Sequence, residues 1–163
     1  MDGIWLALRL VVLIGLANTA PIVAKRVFGT RWSRPLDAGW HWMDGRPLLG
    51  PSKTVRGVLA SFAICLAVAP LLGFSFRIGA LVAAGSMAGD ALASFTKRRI
   101  GIRSSGRAFG LDQVPEALLP LLLVQRPLGL ALWEVAALTA VFLVAEPPAA
   151  WLSWRIGLRD EPY

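Results

Sequence analysis

The chain has 163 residues, of which 56% are hydrophobic and 17% charged. That is more apolar than an ordinary soluble domain, and a single cysteine, Cys65, excludes an intrachain disulfide or a cysteine-rich metal site. The formal charge of +7 would suggest nucleic acid in a soluble protein, but the cations here separate long apolar blocks, so an all-α polytopic membrane protein without a nucleic-acid partner is expected.

The first apolar block runs from about Ile4 to Val23. It lacks a basic start and continues past "ANTAP", so it reads as a retained helix rather than a cleaved leader. "NTAP" puts Asn18, Pro21 and Lys25 roughly on one face, and Pro21 frees a backbone carbonyl. Asn18 either bonds between helices or lines a polar cavity. Arg9 is expected to snorkel to the near end of this helix.

A long polar loop follows, ending in "GPSKTVRG", Gly50 to Gly57. Lys53, Thr54 and Arg56 stand there among small residues, so this basic segment can approach a phosphate closely. The simpler alternative is a cationic flank of a membrane helix. The spacing of Gly45, Gly50 and Lys53 is not that of a Walker A loop, and no strand precedes it.

The second block spans about Gly57 to Phe76, and the third about Ile78 to Phe95. The third runs into "GDALASFTKRRIG", where helical spacing puts Asp90, Ser94 and Lys97 on one face with Ser86 and Gly79. A carboxylate near the end of a membrane helix is costly unless it is paired or faces water. Asp90 either pairs with Lys97 to hold the helix end or serves as a metal ligand, since Mg²⁺ takes carboxylates together with substrate phosphates.

The fourth block, about Val114 to Val124, is short and contains Pro120. It starts earlier, near Asp112, or it is a partial span lining a cavity. Just before it, "GLDQVPEALLP" offers Asp112 and Glu116. Both suit a helix start, and Asp112 also falls in the same layer as Asp90, where two carboxylates would suit metal-assisted phosphoryl chemistry. The fifth block runs from about Leu128 to Ala145, followed by the tail "WLSWRIGLRDEPY". Glu134 has no evident role in this pattern.

Fourteen of the 17 cations lie in the two long loops and the tail. Five spans then place both basic loops and the C-terminus in the cytoplasm and the N-terminus outside. Residues 1–163 form one multi-pass domain in the inner (cytoplasmic) membrane on this reading. Trp32, Trp40, Trp42, Trp151 and Trp154 fall where interfacial aromatics are expected, and His41 shares that role.

"NTAP", "GPSKTVRG", "GDALASFTKRRIG", "LDQ" and the terminal "GLRDEPY" resemble, in order and spacing, the CDP-archaeol synthases. These are similar to the phosphatidate cytidylyltransferases, and the "DQVPEALLP" form looks like the family's bacterial branch. The resemblance implies attack of a lipid phosphate on the α-phosphorus of CTP, giving CDP-lipid and pyrophosphate with Mg²⁺. By the same resemblance Asp90 and Asp112, with Lys97, are catalytic, and Asp90, Asp112 and Glu116 are metal ligands. Lys53, Thr54, Arg56, Arg98 and Gln113 would bind the phosphates of CTP or lipid, and Asn18 and Ser94 would line the cavity.

The chain departs from the family pattern at three positions. Pro115 stands where a further aspartate is expected, and Glu146 and Ala150 stand where the archaeal pattern has a histidine and an asparagine. The alternatives are a membrane lipid or anion carrier and a degenerate homologue without chemistry. A CDP-alcohol phosphotransferase would need several aspartates on adjacent helical turns, which this sequence lacks. The lipid is either phosphatidate or an archaeol-type diether phosphate, and a homodimer is compatible with the sequence.

Overall fold

The computed structural model describes residues 3–104, 106 and 108–158. Arg107, Arg159 and the end of the "GLRDEPY" motif lie outside the described residues. The chain folds as α1 (Gly3–Phe28), α2 (Val55–Val68), a short 3₁₀ turn (Pro70–Leu72), α3 (Phe76–Arg99), α4 (Gln113–Leu128) and α5 (Leu132–Arg155). Among the described residues there is no strand, only two isolated bridges pairing Pro35 with Thr54 and His41 with Pro47.

Local chemistry sets most of these boundaries. The Thr54 hydroxyl accepts from the Gly57 N–H at 3.2 Å and starts α2, and Ser75 caps α3 in the same way from Ile78. Pro70 and left-handed Gly73 close α2. Glu134, without a role in the sequence pattern, accepts from the Ala131 N–H at 2.7 Å and caps the start of α5.

Two helices run further than the apolar pattern predicts. α1 continues past Pro21 to Phe28, and α5 continues through Pro147 and Pro148 to Arg155. A proline removes one N–H from the ladder but does not end a helix whose freed carbonyls find other partners. The apolar pattern ended earlier because Lys25 and Arg26 interrupt the first block and Glu146 with two prolines interrupts the fifth. "WLSWR" is therefore the last part of α5 rather than a tail.

Among the described residues, four helical segments are long and apolar enough to cross a membrane: Gly3–Phe28, Val55–Leu72, Phe76–Arg99 and Leu132–Arg155. α4, with 16 residues, is shorter and still crosses the bundle. α3 sits centrally, packed on α1, α2 and α4, and α5 packs on α4 and α1. Leu10, Leu13 and Ile14 of α1, Val82 of α3 and Leu121 and Val124 of α4 are fully buried in the shared core.

The two basic loops come together at one end of the bundle. Ser104 Oγ lies 3.3 Å from Ser52 Oγ, and Arg46 donates to the carbonyls of Arg98 and Arg99. The end of α5 is at the same end, with Gly157 close to Arg26 of α1. At the opposite end Arg9 donates to Trp5 O and Leu72 O, each at 3.1 Å, beside the turn between α2 and α3. The expected snorkelling of Arg9 toward its own helix end thus takes the form of backbone bonds.

The closest helix contacts use glycine. A Cβ at Gly85 would stand 2.4 Å from Pro120 Cα, and one at Gly89 would stand 2.1 Å from Pro115 O. "GSMAG" is therefore a small-residue seam that lets the α4 backbone lie directly on α3. At the crossing of α1 and α2, Gly57 likewise leaves room for the ring of Pro21.

Candidate active site

The α3–α4 seam decides where Glu116 goes. Gly89 accepts the backbone of Pro115 and Glu116 against its bare Cα, so the next residue of α3, Asp90, meets Glu116. Their carboxyls come into hydrogen-bonding contact, and Lys53 and Asp112 lie close enough to Glu116 to act on it electrostatically. Lys53 Nζ, from the loop before α2, forms an ion pair with Asp90 Oδ1. The expected alternative, a pair of Asp90 with Lys97 along one helix, is replaced by a pair across 37 residues.

Lys97 instead pairs with Asp112 Oδ1 at 2.6 Å and donates to Gly106 O at 3.1 Å. The other Asp112 oxygen accepts from the Ala108 N–H at 3.0 Å. Ser94, one turn after Asp90, is buried on α3. Arg98 is buried beside it, donating to Arg103 O at 2.8 Å, and its Nε has no partner. Gln113 is also buried. Its oxygen accepts from the Gly110 N–H at 2.7 Å and its nitrogen donates to Glu146 Oε2 at 3.1 Å, so it ties the second loop to α5.

A shallow cleft of about 20 Å³, half open to the surface, lies beside Lys53 and Asp90. Pro21, Leu36, Val58, Met87 and Ala91 give it apolar walls, and Ser52, Lys53, Thr54 and Asp90 give it a polar side. Thr54 is both helix cap and cleft residue. Asn18 lies one turn before Pro21 on α1, and both of its amide atoms are buried without a partner. Arg56 stands apart from this group. Its guanidinium donates to Gly29 O at 2.8 Å and Arg31 O at 2.6 Å, tying α2 to the chain leaving α1.

Four residues outside the sequence-based set, Asp37, Asp44, Arg46 and Arg99, organise the loops. The Asp37 carboxylate accepts from Gly39 at 3.0 Å, Leu49 at 2.8 Å and Gly50 at 2.9 Å. Burial pushes this carboxyl up, but the N–H groups of Gly50, Leu49 and Gly39 more than offset that and hold it below its ordinary value. Arg46 and Arg99 make a reciprocal clasp: Arg46 donates to the carbonyls of Arg98 and Arg99, and Arg99 donates to those of Arg46 and Pro47. Arg99 also pairs with Asp44 at 2.7 Å and lies over the Phe95 ring. "DAG" and "DG" are local turn signals for Asp37 and Asp44, but neither signal names a partner ten or fifty residues away.

Comparison with known proteins bears directly on this arrangement. A family model described as CarS-like, CDP-archaeol synthase, matches residues 71–163. Over the whole chain the sequence is 35% identical to the CDP-archaeol synthase of Aeropyrum pernix, covering 94% of that protein. The chain belongs to the CDP-archaeol synthase family.

Identity of 35% extends over 60% of this chain to the CDP-archaeol synthase of Thermococcus onnurineus, and over a similar stretch to that of Pyrococcus furiosus. The matches span 61% and 60% of the length of those two relatives. A solved structure of an intramembrane enzyme for archaeal membrane lipid biosynthesis superposes with a TM-score of 0.75 at 32% identity, covering 88% of this chain and 91% of that one. The named relatives are archaeal, whereas the "DQVPEALLP" form had suggested the bacterial branch.

Membership of this family raises the question of a divalent metal. Among the described residues no three carboxylate, imidazole or thiolate groups gather as a ready-made metal cage. The donors nonetheless fit Mg²⁺, a hard cation usually held by one or two carboxylates, water and substrate phosphates. Asp90 and Glu116 put two carboxyls in contact, an arrangement that repels unless a proton or cation offsets it. Glu116 thereby offers a carboxyl next to the position where Pro115 replaces the expected aspartate. Pro115 itself contributes its carbonyl to the packing against Gly89. Of the other two departures, Glu146 is the partner of Gln113, and Ala150 is buried in α5.

Proposed function

We propose that this chain is a CTP-dependent cytidylyltransferase that converts a membrane lipid phosphate to CDP-lipid and pyrophosphate. The observation that carries the reading is the Lys53–Asp90–Glu116 group beside a cleft with apolar walls. Such a place suits the boundary between phosphate groups and lipid chains: Lys53 faces the phosphates of CTP or lipid, and the apolar wall faces the chains. Lys97 and Asp112 stand alongside as a second ion pair. In the reaction a lipid phosphate oxygen forms a bond to the α-phosphorus of CTP. The bond from that phosphorus to the bridging oxygen breaks, and pyrophosphate leaves with the electron pair.

The protein's part is positioning and charge neutralisation. Lys53, Lys97 and Arg98 bring fixed positive charge to the phosphates, while Thr54 and Gln113 hold the backbone around them. Asn18 and Ser94 add polar groups to the interior near the site. Mg²⁺, when bound, would supply further neutralisation of the CTP phosphates, held by Asp90 and Glu116 with Asp112 nearby. Five spans, both basic loops in the cytoplasm and a site open to cytoplasmic CTP complete the reading for an inner membrane.

The test uses purified protein in mixed micelles with labelled CTP, Mg²⁺ and either phosphatidic acid or the unsaturated diether phosphate. CDP-lipid from one lipid, reduced about a hundredfold or more in Asp90→Asn, is the expected result, since a charged group acting on the transition state counts on that scale. No product from either lipid with folded wild-type protein would favour the non-catalytic binding protein or degenerate homologue.

A further inference from the structure

Asp37 is 8% exposed, lies in the loop before α2 and touches none of the proposed catalytic groups. Its two oxygens take three backbone N–H groups, two of them from Leu49 and Gly50 on a turn twelve and thirteen residues on. Gly50 has φ +94, a conformation other residues rarely adopt, and a Cβ there would crowd Ser104 Oγ at 3.2 Å. The same turn leads straight to Lys53. The Lys53 N–H donates to Gly50 O at 3.3 Å, and the N–H of Leu36, next to Asp37, donates to Lys53 O at 2.7 Å. The segment around Asp37 therefore grips Lys53 on both sides, through the turn before it and through its own carbonyl. The side chain so held makes the ion pair with Asp90.

We propose that Asp37 is a positioning residue of the active site: by closing the 49–50 turn it presents the Lys53 ammonium to Asp90 and to the substrate phosphate. The proposal rests on the cytidylyltransferase reading of the Lys53–Asp90 group. Charge suits the task, because a carboxylate accepts N–H bonds more strongly than a neutral oxygen and all three donors point inward at one residue. Ser52, on the same turn, meets Ser104 of the second loop, so the turn also registers the two basic loops against each other.

The experiment compares wild type, Asp37→Ala, Asp37→Asn and Lys53→Met in the micelle assay, with CTP varied. A second readout is the rate at which an amine-specific acylating reagent modifies Lys53, followed by mass spectrometry. Asp37→Ala is expected to raise KM for CTP about tenfold with kcat within about threefold of wild type. Asp37→Asn, which keeps one acceptor oxygen, falls between. Acylation of Lys53 rises about tenfold as its pairing loosens. Adding Asp37→Ala to Lys53→Met changes KM no further, since the two act through one interaction.

Unchanged Lys53 acylation with unchanged KM would overturn the proposal, as would a lower thermal midpoint with neither of the other effects. If Asp37→Ala does not accumulate as folded protein, Asp37→Asn carries the same comparison. If wild type makes no CDP-lipid, it is the enzymatic reading that has failed. Lys53 acylation then decides the positioning role alone.

Discussion

Arginines close together in the sequence serve different purposes. Arg56 follows Lys53 by three residues in "GPSKTVRG", yet its guanidinium is committed to Gly29 O and Arg31 O. Arg56→Ala is expected to lower the stability of the detergent-solubilised protein by about 1–3 kcal/mol, the cost of losing a buried side chain and its two hydrogen bonds, while KM for CTP stays within about twofold. Thermal unfolding and the micelle assay together check this. A tenfold rise in KM without loss of stability would return Arg56 to the substrate. Both bonds leave one nitrogen, Nη1, so Arg56→Lys should recover part of the loss as far as its ammonium reaches the two carbonyls. The sequence marked Asp90 and Lys53 as residues that needed a reason. It could not pair them, because helical spacing relates residues on one helix and this pair joins a loop to a helix.

At the scale of the element, the α3–α4 seam is the feature on which the site depends. Gly89→Ala would place a methyl group 2.1 Å from Pro115 O, a contact that only backbone movement can relieve. A loss of about 1–3 kcal/mol is expected, together with lower activity, because α4 carries Glu116 away from Asp90 as it moves. Gly15→Ala is the control: nothing lies within 4 Å of its Cβ position, and the change should be neutral or stabilising by up to about 1 kcal/mol. Equal thermal midpoints for the two variants would refute the seam. Four of the five helices were legible from apolar block length, and α4 showed only as a short block before and around Pro120. The ends of α1 and α5 were not, since Pro21, Pro147 and Pro148 look like stops in sequence and are carried inside helices by their neighbours. Asp37 was missed for a related reason. Its "DAG" signal is local, but its function lies in bonds to a turn twelve residues away.

For the whole molecule, the distribution of charge and the path of the chain agree. Met43, 93% exposed in the first loop, and Leu71, 83% exposed in the turn between α2 and α3, mark opposite ends of the bundle. Single cysteines introduced at these positions should be labelled by a membrane-impermeant maleimide from opposite sides. Met43→Cys should react in inside-out vesicles and Leu71→Cys in right-side-out ones. The native Cys65 is buried and should stay silent. Labelling of both from one side would overturn the proposed topology. α2 and α3 bring the two basic loops to one end, and α4, short and containing Pro120, turns the chain back so that α5 ends beside them.

The sequence by itself determined that the protein belongs in a membrane, roughly where its helices lie, which loops carry the positive charge and which family it resembles. Those properties follow from residue type and spacing along the chain, which act locally. Only the tertiary structure decided that Lys53 meets Asp90, that Glu116 stands beside them, that Arg56 is turned toward α1 and that Asp37 holds the loop. Each of those depends on how closely two separate segments approach, set at the α3–α4 and α1–α2 crossings by bare glycines and proline rings and in the loops by side-chain bonds to distant backbone, and the one-dimensional pattern names neither kind of partner.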